Sequence, residues 1–173
     1  MVIANLNFIL FKDGINENNN NNTILVTSTI KGEGKTLLSV NIASLLSKKY
    51  KKVLLVGADL RNPQIHKFLN IDKSTVGLSN YMCLDNLNWK DLIIKNESLD
   101  ILLSGVIPPN PTEILASNKF KSFIEEVKRE YDYIIIDSAP CLLVSDTFEI
   151  SKYVDTTLYV VRSNHTDLKI CDF

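Results

Sequence analysis

A short glycine-rich stretch, GEGKT at residues 32–36, combines the residue types that bind phosphate. Gly32 and Gly34 let backbone N–H groups turn inward and approach an anion closely. Lys35 is placed to reach the β- and γ-phosphates of a nucleotide, and the Thr36 hydroxyl is placed to bind Mg²⁺. The stretch therefore predicts a Walker A loop, which is a backbone cradle for nucleotide phosphates.

The segments on either side of this loop are those that a phosphate cradle requires. Residues 24–26 form an apolar, branched run that is typical of a buried parallel strand. Four apolar residues then recur at the spacing of one helix face: Leu38, Ile42, Leu45 and Leu46. The positive end of such a helix points at the loop. The general pattern GxxxxGK[ST] would place a glycine at Thr29, so a turn without a ligand is the alternative, but the strand–loop–helix context favours the Walker A loop.

Two carboxylates are expected beside the loop. The apolar run at residues 133–136 ends on Asp137, which is the Walker B arrangement, in which the aspartate holds Mg²⁺ directly or through water. A structural cap is the alternative for an aspartate at the end of a strand. The stretch VLLVGADLR carries a second acid, Asp59, a candidate to bind Mg²⁺ or to orient a nucleophile. Arg61 is expected to pair with Asp59 or with a phosphate, and a purely structural salt bridge is the alternative.

The wider pattern predicts strands that alternate with helices. That alternation is typical of an α/β fold, here a P-loop NTPase with a mostly parallel sheet and helices on both faces. Ligands in such sheets bind at the carboxyl ends of the strands, where Lys35, Asp59 and Asp137 lie. The predicted strands are 24–26, 52–56, 99–103, 133–136 and 156–161. The predicted helices are 63–69, 77–82, 112–117 with Thr112 as its cap, and one whose buried face is Phe120, Phe123, Ile124 and Val127.

Length and composition predict one domain, with an N-terminal segment and asparagine-rich loop over 1–22 and a nucleotide-binding core over 23–173. The net charge of −1 gives no reason to expect nucleic acid as a partner. No run approaches the roughly 18 apolar residues of a membrane span, and the start lacks the pattern of a signal peptide. Three scattered cysteines without a CxxC pair indicate a reducing, cytoplasmic compartment and no cysteine metal site: Cys83, Cys141 and Cys171.

Together these motifs make the chain resemble the cytoplasmic kinase domain of the bacterial tyrosine kinases, or BY-kinases, of capsular and exopolysaccharide synthesis. Four stretches carry the resemblance: TSTIKGEGKTLLSVNIA, VLLVGADLRNPQIHKFL, SGVIPPNPTEILAS and YDYIIIDSAP. The third is the most specific, because a PPNP-x-E-hydrophobic-L-x-S loop is not a general NTPase feature. The related partition and septum-site ATPases carry a signature lysine five positions before the P-loop lysine. That position is Ile30 in this chain, with Lys31 after it, which disfavours that branch.

The resemblance implies a protein-tyrosine autokinase that uses Mg-ATP. It implies that Lys35 neutralises phosphate charge and that Asp59 orients the tyrosine hydroxyl. The implied metal ligands are Thr36, Asp59 and Asp137. The residues expected to contact ATP or ADP are Lys31, Gly32, Glu33, Gly34, Lys35, Thr36, Leu37 and Arg61.

The family also implies particular partners. These are a tyrosine substrate in the protein's own C-terminal tail, neighbouring subunits in a ring, and a membrane-bound activator or polysaccharide co-polymerase at the inner face of the bacterial membrane. A Mg-ATP-binding switch or assembly module without kinase activity is the alternative function. A pure ATPase of the partition type is the weakest interpretation.

Three departures from the family pattern modify these expectations. Gly57 stands where the family's D-x-D-x-R motif has its first carboxylate, so Gly57→Asp is expected to raise phosphoryl transfer. The family's subunit-joining arginine helix before Asn5 and its tyrosine-rich tail after Phe173 are not in the sequence, and residues 167–173 are expected to be a helix cut short. The chain is therefore expected to be truncated at both ends and to bind nucleotide while hardly modifying its six tyrosines: Tyr50, Tyr81, Tyr131, Tyr133, Tyr153 and Tyr159.

Overall fold

The computed structural model describes residues 22–49, 52–142 and 144–170 of the chain. The predicted N-terminal segment and most of the asparagine-rich loop, residues 1–21, lie outside the described residues. So do Tyr50 and the end of the predicted C-terminal helix, residues 171–173. The described start of that helix, Leu168–Ile170, is a single turn of 3₁₀-helix.

A six-stranded sheet forms the centre of the described part, and helices cover both of its faces. Its order is β3-β4-β2-β5-β1-β6, and all pairings are parallel except that of β3 with β4. The predicted α/β fold with a mostly parallel sheet is therefore confirmed. The strands are β1 (Asn22–Ser28), β2 (Val53–Gly57), β3 (Ile94–Asn96), β4 (Leu99–Leu102), β5 (Tyr133–Asp137) and β6 (Thr156–Val160). The helices are α1 (Lys35–Ser47), α2 (Ile65–Leu69), α3 (Leu78–Cys83), α4 (Pro111–Leu115), α5 (Asn118–Glu130) and α6 (Asp146–Ser151).

The two central strands, β2 and β5, are buried along their whole length. Successive side chains of a strand point to opposite faces, so each strand supplies two hydrophobic cores. Leu54 and Ile134 belong to the core that also holds Trp89 and the buried face of α5. Leu55 and Ile135 belong to the core that packs against α1. Apolar side chains at every strand position are therefore needed, as is typical of a parallel sheet covered on both faces.

Helix α5 packs with the face that the sequence predicts. Its four apolar residues are at most 1% exposed: Phe120, Phe123, Ile124 and Val127. The helix begins after Ser117, whose side-chain oxygen accepts a hydrogen bond from the Phe120 N–H at 3.2 Å. This is the usual contact of an N-cap residue and explains why the helix starts there.

Helix α1 differs from its predicted amphipathic pattern. Ile42 and Leu46 are buried as expected, but Leu45 is 43% exposed. The buried face instead includes Lys35, Thr36 and Ser39. Polar and charged side chains replace apolar ones in the first turns because this end of the helix lies against charged groups at the edge of the sheet.

Several predicted boundaries were wrong by one or two residues. Strand β2 covers Val53–Gly57 and helix α2 begins at Ile65, two residues after the predicted start at Pro63. Helix α4 begins at Pro111 after Asn110, so Thr112 lies inside it and is not its cap. The antiparallel strand β3 was not predicted, because its three residues are mostly exposed and carry no apolar pattern. Among the residues that the structure describes, none of the helices has the length and apolar character needed to cross a bilayer.

Candidate functional site

The loop between β1 and α1 has the backbone conformation that its glycines allow. Gly32 has a φ of 91° and Gly34 a φ of 98°, both in the left-handed region that favours glycine. Helix α1 begins directly after this turn, and the Gly34 carbonyl accepts its first described backbone hydrogen bond, from Leu38 at 2.9 Å. The N–H groups of the first helical turn have no acceptor within the helix, so they are available to an anion.

Lys35 and Asp59 form a buried ion pair at this edge of the sheet. The Lys35 ammonium lies 3.1 Å from the Oδ2 atom of Asp59, and their side chains are only 11% and 3% exposed. The other oxygen of Asp59, Oδ1, accepts backbone N–H groups of Asn62 at 2.9 Å and Arg61 at 3.3 Å. One carboxylate oxygen is therefore fixed by the chain, and the other faces the lysine.

Asp137 ends β5, which lies between β1 and β2. In the sheet register it stands beside Val26 on one side and Gly57 on the other. Its carboxylate accepts a hydrogen bond from the Ser39 hydroxyl at 3.2 Å and another from the Thr36 hydroxyl. Thr36 and Asp137, predicted to share a magnesium ion, are therefore in direct contact.

Burial is the largest influence on the acidity of Asp137. Loss of water raises the pKa of this carboxyl to about 6, and the Asp59 charge adds to the increase. The Lys35 charge and the hydrogen bonds from Thr36 and Ser39 act in the opposite direction. A buried carboxylate whose ionised form is disfavoured gains from a nearby cation. Thr36, Asp59 and Asp137 supply oxygen atoms, which are the ligands that Mg²⁺ prefers, so the donor set fits this metal.

Arg61 pairs with a residue that sequence reasoning missed. Its Nε and Nη2 atoms donate to the two carboxylate oxygens of Asp146 at 2.7 and 3.1 Å. The Thr112 hydroxyl donates to the same carboxylate at 2.5 Å and accepts from Arg61 at 3.0 Å. The hydrogen bond to Asp146 is the main reason that the pKa of Arg61 is raised. Of the alternatives for Arg61, the structure shows a salt bridge with Asp146 and not with Asp59, which bonds only to the Arg61 backbone; a contact of Arg61 with a phosphate stays a prediction.

A cavity of about 200 Å³ opens between these groups. The residues that line it are Thr29, Ile30, Lys31, Lys35, Asp59, Arg61, Asn62, Ala139, Pro140 and Val144. A larger cavity, of about 400 Å³, opens beside Lys52, Lys95 and Tyr131, near the amino ends of β2, β4 and β5. Because parallel sheets bind ligands at the carboxyl ends of their strands, the smaller cavity is the better candidate for the functional site.

The remaining predicted residues take part in different ways. The Leu37 side chain is half exposed, so only its backbone is suited to a ligand. Glu33 is buried, and its carboxylate accepts the Ile30 N–H at 2.7 Å.

Ser39 was missed, although its spacing of four residues from Lys35 puts it on the same face of α1. Asp146 carried no sequence signal, since it follows Asp137 by a loop without a recognised motif.

Known proteins with similar sequences cover most of this chain. The sequence profile of the family described as the AAA domain matches residues 21–163. A Klebsiella pneumoniae protein named as a tyrosine-protein kinase of the cps region is 39% identical over 155 residues, 88% of this chain and 21% of that protein. The tyrosine-protein kinase YwqD of Bacillus subtilis is 36% identical over 146 residues, 84% of this chain and 61% of that protein.

A solved structure is also similar to this chain. The kinase domain of VpsO superposes with a TM-score of 0.87 at 34% sequence identity, covering 98% of this chain and 81% of that domain. The chain thus corresponds to most of a solved domain, but it spans only about a fifth of the length of the Klebsiella relative.

The burial of Asp137 predicts a gain in stability when its charge is removed. The folded pKa near 6 lies above the ordinary value of 3.8, so the folded state binds the proton more tightly than the unfolded state. The free energy of unfolding should therefore fall as the pH rises from about 4 to 6, and Asp137→Asn should raise it by about 1–3 kcal/mol at pH 7.5. Urea unfolding of the nucleotide-free protein at pH 5 and 7.5 measures both effects. The exposed variant Asp91→Asn is the control, and a loss of stability in Asp137→Asn would contradict the argument.

The structure also changes the expectation for Gly57. A Cβ atom on Gly57 would lie 2.6 Å from the Ser104 Oγ and 2.9 Å from the Ser104 backbone N, so a side chain has no room unless this loop moves. We now expect Gly57→Asp to lower the free energy of unfolding by about 1–3 kcal/mol, as overpacking does, and not to raise phosphoryl transfer. Thermal unfolding measures this loss of stability, and Gly57→Ala separates the effect of side-chain size from that of the added negative charge. Wild-type stability together with faster transfer in Gly57→Asp would restore the original expectation.

Proposed function

The chain belongs to the bacterial tyrosine-protein kinases of the AAA-domain family, and from that premise we propose that it binds Mg-ATP and transfers the γ-phosphate to a tyrosine hydroxyl of a protein. The observation that carries the proposal is the Lys35–Asp59 ion pair, whose two residues line one cavity, with the Asp137 carboxylate and its partner Thr36 close to that pair. These contacts put a cation, two carboxylates and a glycine loop within reach of one nucleotide.

Phosphoryl transfer needs positioning and charge stabilisation more than covalent chemistry from the protein. The backbone N–H groups of residues 32–36 cradle the phosphates, and the Lys35 ammonium turns from Asp59 towards the γ-phosphate. Thr36 and Asp137 would hold the metal, which would supply positive charge beside the transferred group when bound. Because the site is largely buried, each of these charges acts through a medium less polarisable than water and is correspondingly stronger.

Asp59 is the residue suited to orient the acceptor. Its Oδ1 atom stays fixed by the backbone of residues 61 and 62, while its Oδ2 atom is released when Lys35 moves to the phosphate. The released oxygen can accept a hydrogen bond from the incoming tyrosine hydroxyl or complete the metal site. The same motion of Lys35 thus brings its charge to the nucleotide and frees Asp59 to bind the tyrosine hydroxyl.

The tyrosines that the structure describes are engaged within the fold, so we expect them to be poor acceptors of a phosphoryl group. Tyr131 donates to Asp100 at 2.7 Å, and burial is the main cause of its raised pKa. The Tyr159 hydroxyl lies 2.7 Å from Thr29 Oγ1, and Tyr133 is buried in the core. Tyr81 and Tyr153 pack against phenylalanine rings of α5. We therefore propose that the substrate tyrosine lies on another segment or another protein, such as a C-terminal tail presented by a neighbour in a ring.

The biological setting is proposed from the relatives. One of them is named for the cps region, so we propose a role in capsular or exopolysaccharide synthesis on the cytoplasmic side of the membrane, with a membrane-bound activator or co-polymerase as partner. A Mg-ATP-dependent switch without kinase activity is the second candidate. Gly57 favours it, because Ser104 fills the space where the family's first carboxylate would lie.

Replacing Lys35 tests nucleotide binding. Lys35→Met should weaken the affinity for Mg-ADP at least about tenfold, since it removes the charge that faces the phosphates. Isothermal titration calorimetry measures this. Circular dichroism must show a folded variant, because Asp59 loses its buried partner. Lys121→Met, on the exposed face of α5, is the matched control. Equal affinity in Lys35→Met and the wild type would overturn the assignment of this loop.

Mass spectrometry distinguishes a tyrosine kinase from a Mg-ATP-dependent switch without kinase activity. The wild-type chain, incubated with Mg-ATP and a tyrosine-containing peptide polymer, should produce phosphotyrosine on the polymer, and Lys35→Met should not. Modification of the polymer, rather than of Tyr131 or Tyr133, is expected because those two hydroxyl groups are buried or bonded. Binding of Mg-ATP without any phosphotyrosine would contradict the kinase proposal and favour the switch.

A further inference from the structure

The segment that follows β6 lies against the phosphate loop. The Arg162 Nη1 atom donates to the Gly32 carbonyl at 3.0 Å, and the His165 Nε2 atom lies 3.1 Å from the Lys31 carbonyl oxygen. The Thr166 hydroxyl donates to the Glu33 carboxylate. Residues 162–166, here called the clasp segment, therefore contact three successive residues of the loop. None of these clasp contacts was predicted from the sequence.

Two of these contacts decide which way the loop's N–H groups point. A trans peptide unit is planar, and its C=O and the following N–H point in opposite directions. His165 holds the Lys31 carbonyl, so the Gly32 N–H points away from the clasp segment. Arg162 holds the Gly32 carbonyl, so the Glu33 N–H also points away from it. Both donors are thereby turned to the side of the loop opposite the clasp segment.

The third contact fixes the position of a charged group within the loop. Glu33 is a buried carboxylate, and its negative charge would repel a phosphate if its side chain could turn towards the ligand. One of its oxygens accepts the Ile30 N–H at 2.7 Å, and the other accepts the Thr166 hydroxyl. The two bonds hold the carboxylate in place and join the beginning of the loop to its middle.

The fit between loop and clasp segment is close. A Cβ atom on Gly32 would lie 3.2 Å from the Nε2 atom of His165, and the φ of 91° at this residue already favours glycine. Gly32 thus meets two requirements, one for conformation and one for space. Arg162 and His165 are both exposed, so they add little to the hydrophobic core, and their contacts are with the loop backbone.

We propose that Arg162 and Thr166, assisted by His165, are positioning residues that orient the phosphate loop before the nucleotide binds. The proposal rests on the proposed function, since it assigns these residues to the same nucleotide site. Preorganised donors bind an anion without the cost of reordering the loop, so loss of the clasp contacts lowers affinity. None of the three residues touches the phosphates in this account.

Two independent variants test the proposal. Arg162→Gln removes the charged donor to Gly32, and Thr166→Val removes the hydroxyl while keeping the side-chain shape. Each should weaken the binding of Mg-ADP about tenfold, which is the usual effect of losing a charge-assisted hydrogen bond. The melting temperature of the nucleotide-free protein should stay near that of the wild type. Thr166→Ser, which restores the hydroxyl, should recover the wild-type affinity.

The controls distinguish the possible failures. Arg129→Gln removes the same charge from the exposed surface of α5 and should bind Mg-ADP as the wild type does. If Arg162→Gln and Thr166→Val melt at lower temperature but bind Mg-ADP with unchanged affinity when folded, the clasp segment is only structural and the proposal is overturned. If the wild type itself does not bind Mg-ADP, the proposed function fails and the clasp proposal fails with it.

Discussion

The buried ion pair between Lys35 and Asp59 is the interaction on which the candidate site depends. Two opposite charges that are this well shielded from water are tolerated only when each compensates the other, because an isolated buried charge carries a large desolvation cost. Asp137 adds a second carboxylate beside the pair, so the cluster holds one cation and two acids. A divalent metal ion beside the two acids would offset their surplus negative charge and would leave the Lys35 charge available to the phosphates of a nucleotide.

The sheet order is what brings these charges together. Lys35 follows β1, Asp59 follows β2, and Asp137 ends β5, which lies between those two strands. The central strands β2 and β5 are buried along their whole length, so they fix the backbone firmly and leave the chemistry to the residues at and just after their carboxyl ends. The Arg61–Asp146 pair, with Thr112, then ties the loop after β2 to α4 and α6. Helix α4, which follows the proline-rich stretch, is thereby tied to the site through Thr112.

The sequence allowed the fold class and the principal charged residues to be predicted, because glycines, lysine and strand-end aspartates follow spacing rules that their chemistry imposes. It did not allow the partners of those residues to be predicted. Asp146 and the clasp segment meet the site from far along the chain, through contacts that only the folded sheet creates. The steric limit at Gly57 depends on Ser104, a residue of a different loop. Leu45 is exposed because the buried face of α1 lies on the side of the helix that carries Lys35, Thr36 and Ser39.

A crystal structure of the chain with Mg-ADP would show whether the buried Lys35–Asp59 pair opens to receive the nucleotide. We predict phosphates within hydrogen-bonding distance of the N–H groups of residues 32–36, with the metal bound beside Thr36 and Asp137. We also predict that Lys35 leaves Asp59 and contacts a phosphate. A nucleotide bound elsewhere, or a Lys35–Asp59 pair that remains intact beside bound phosphates, would contradict this assignment of the site.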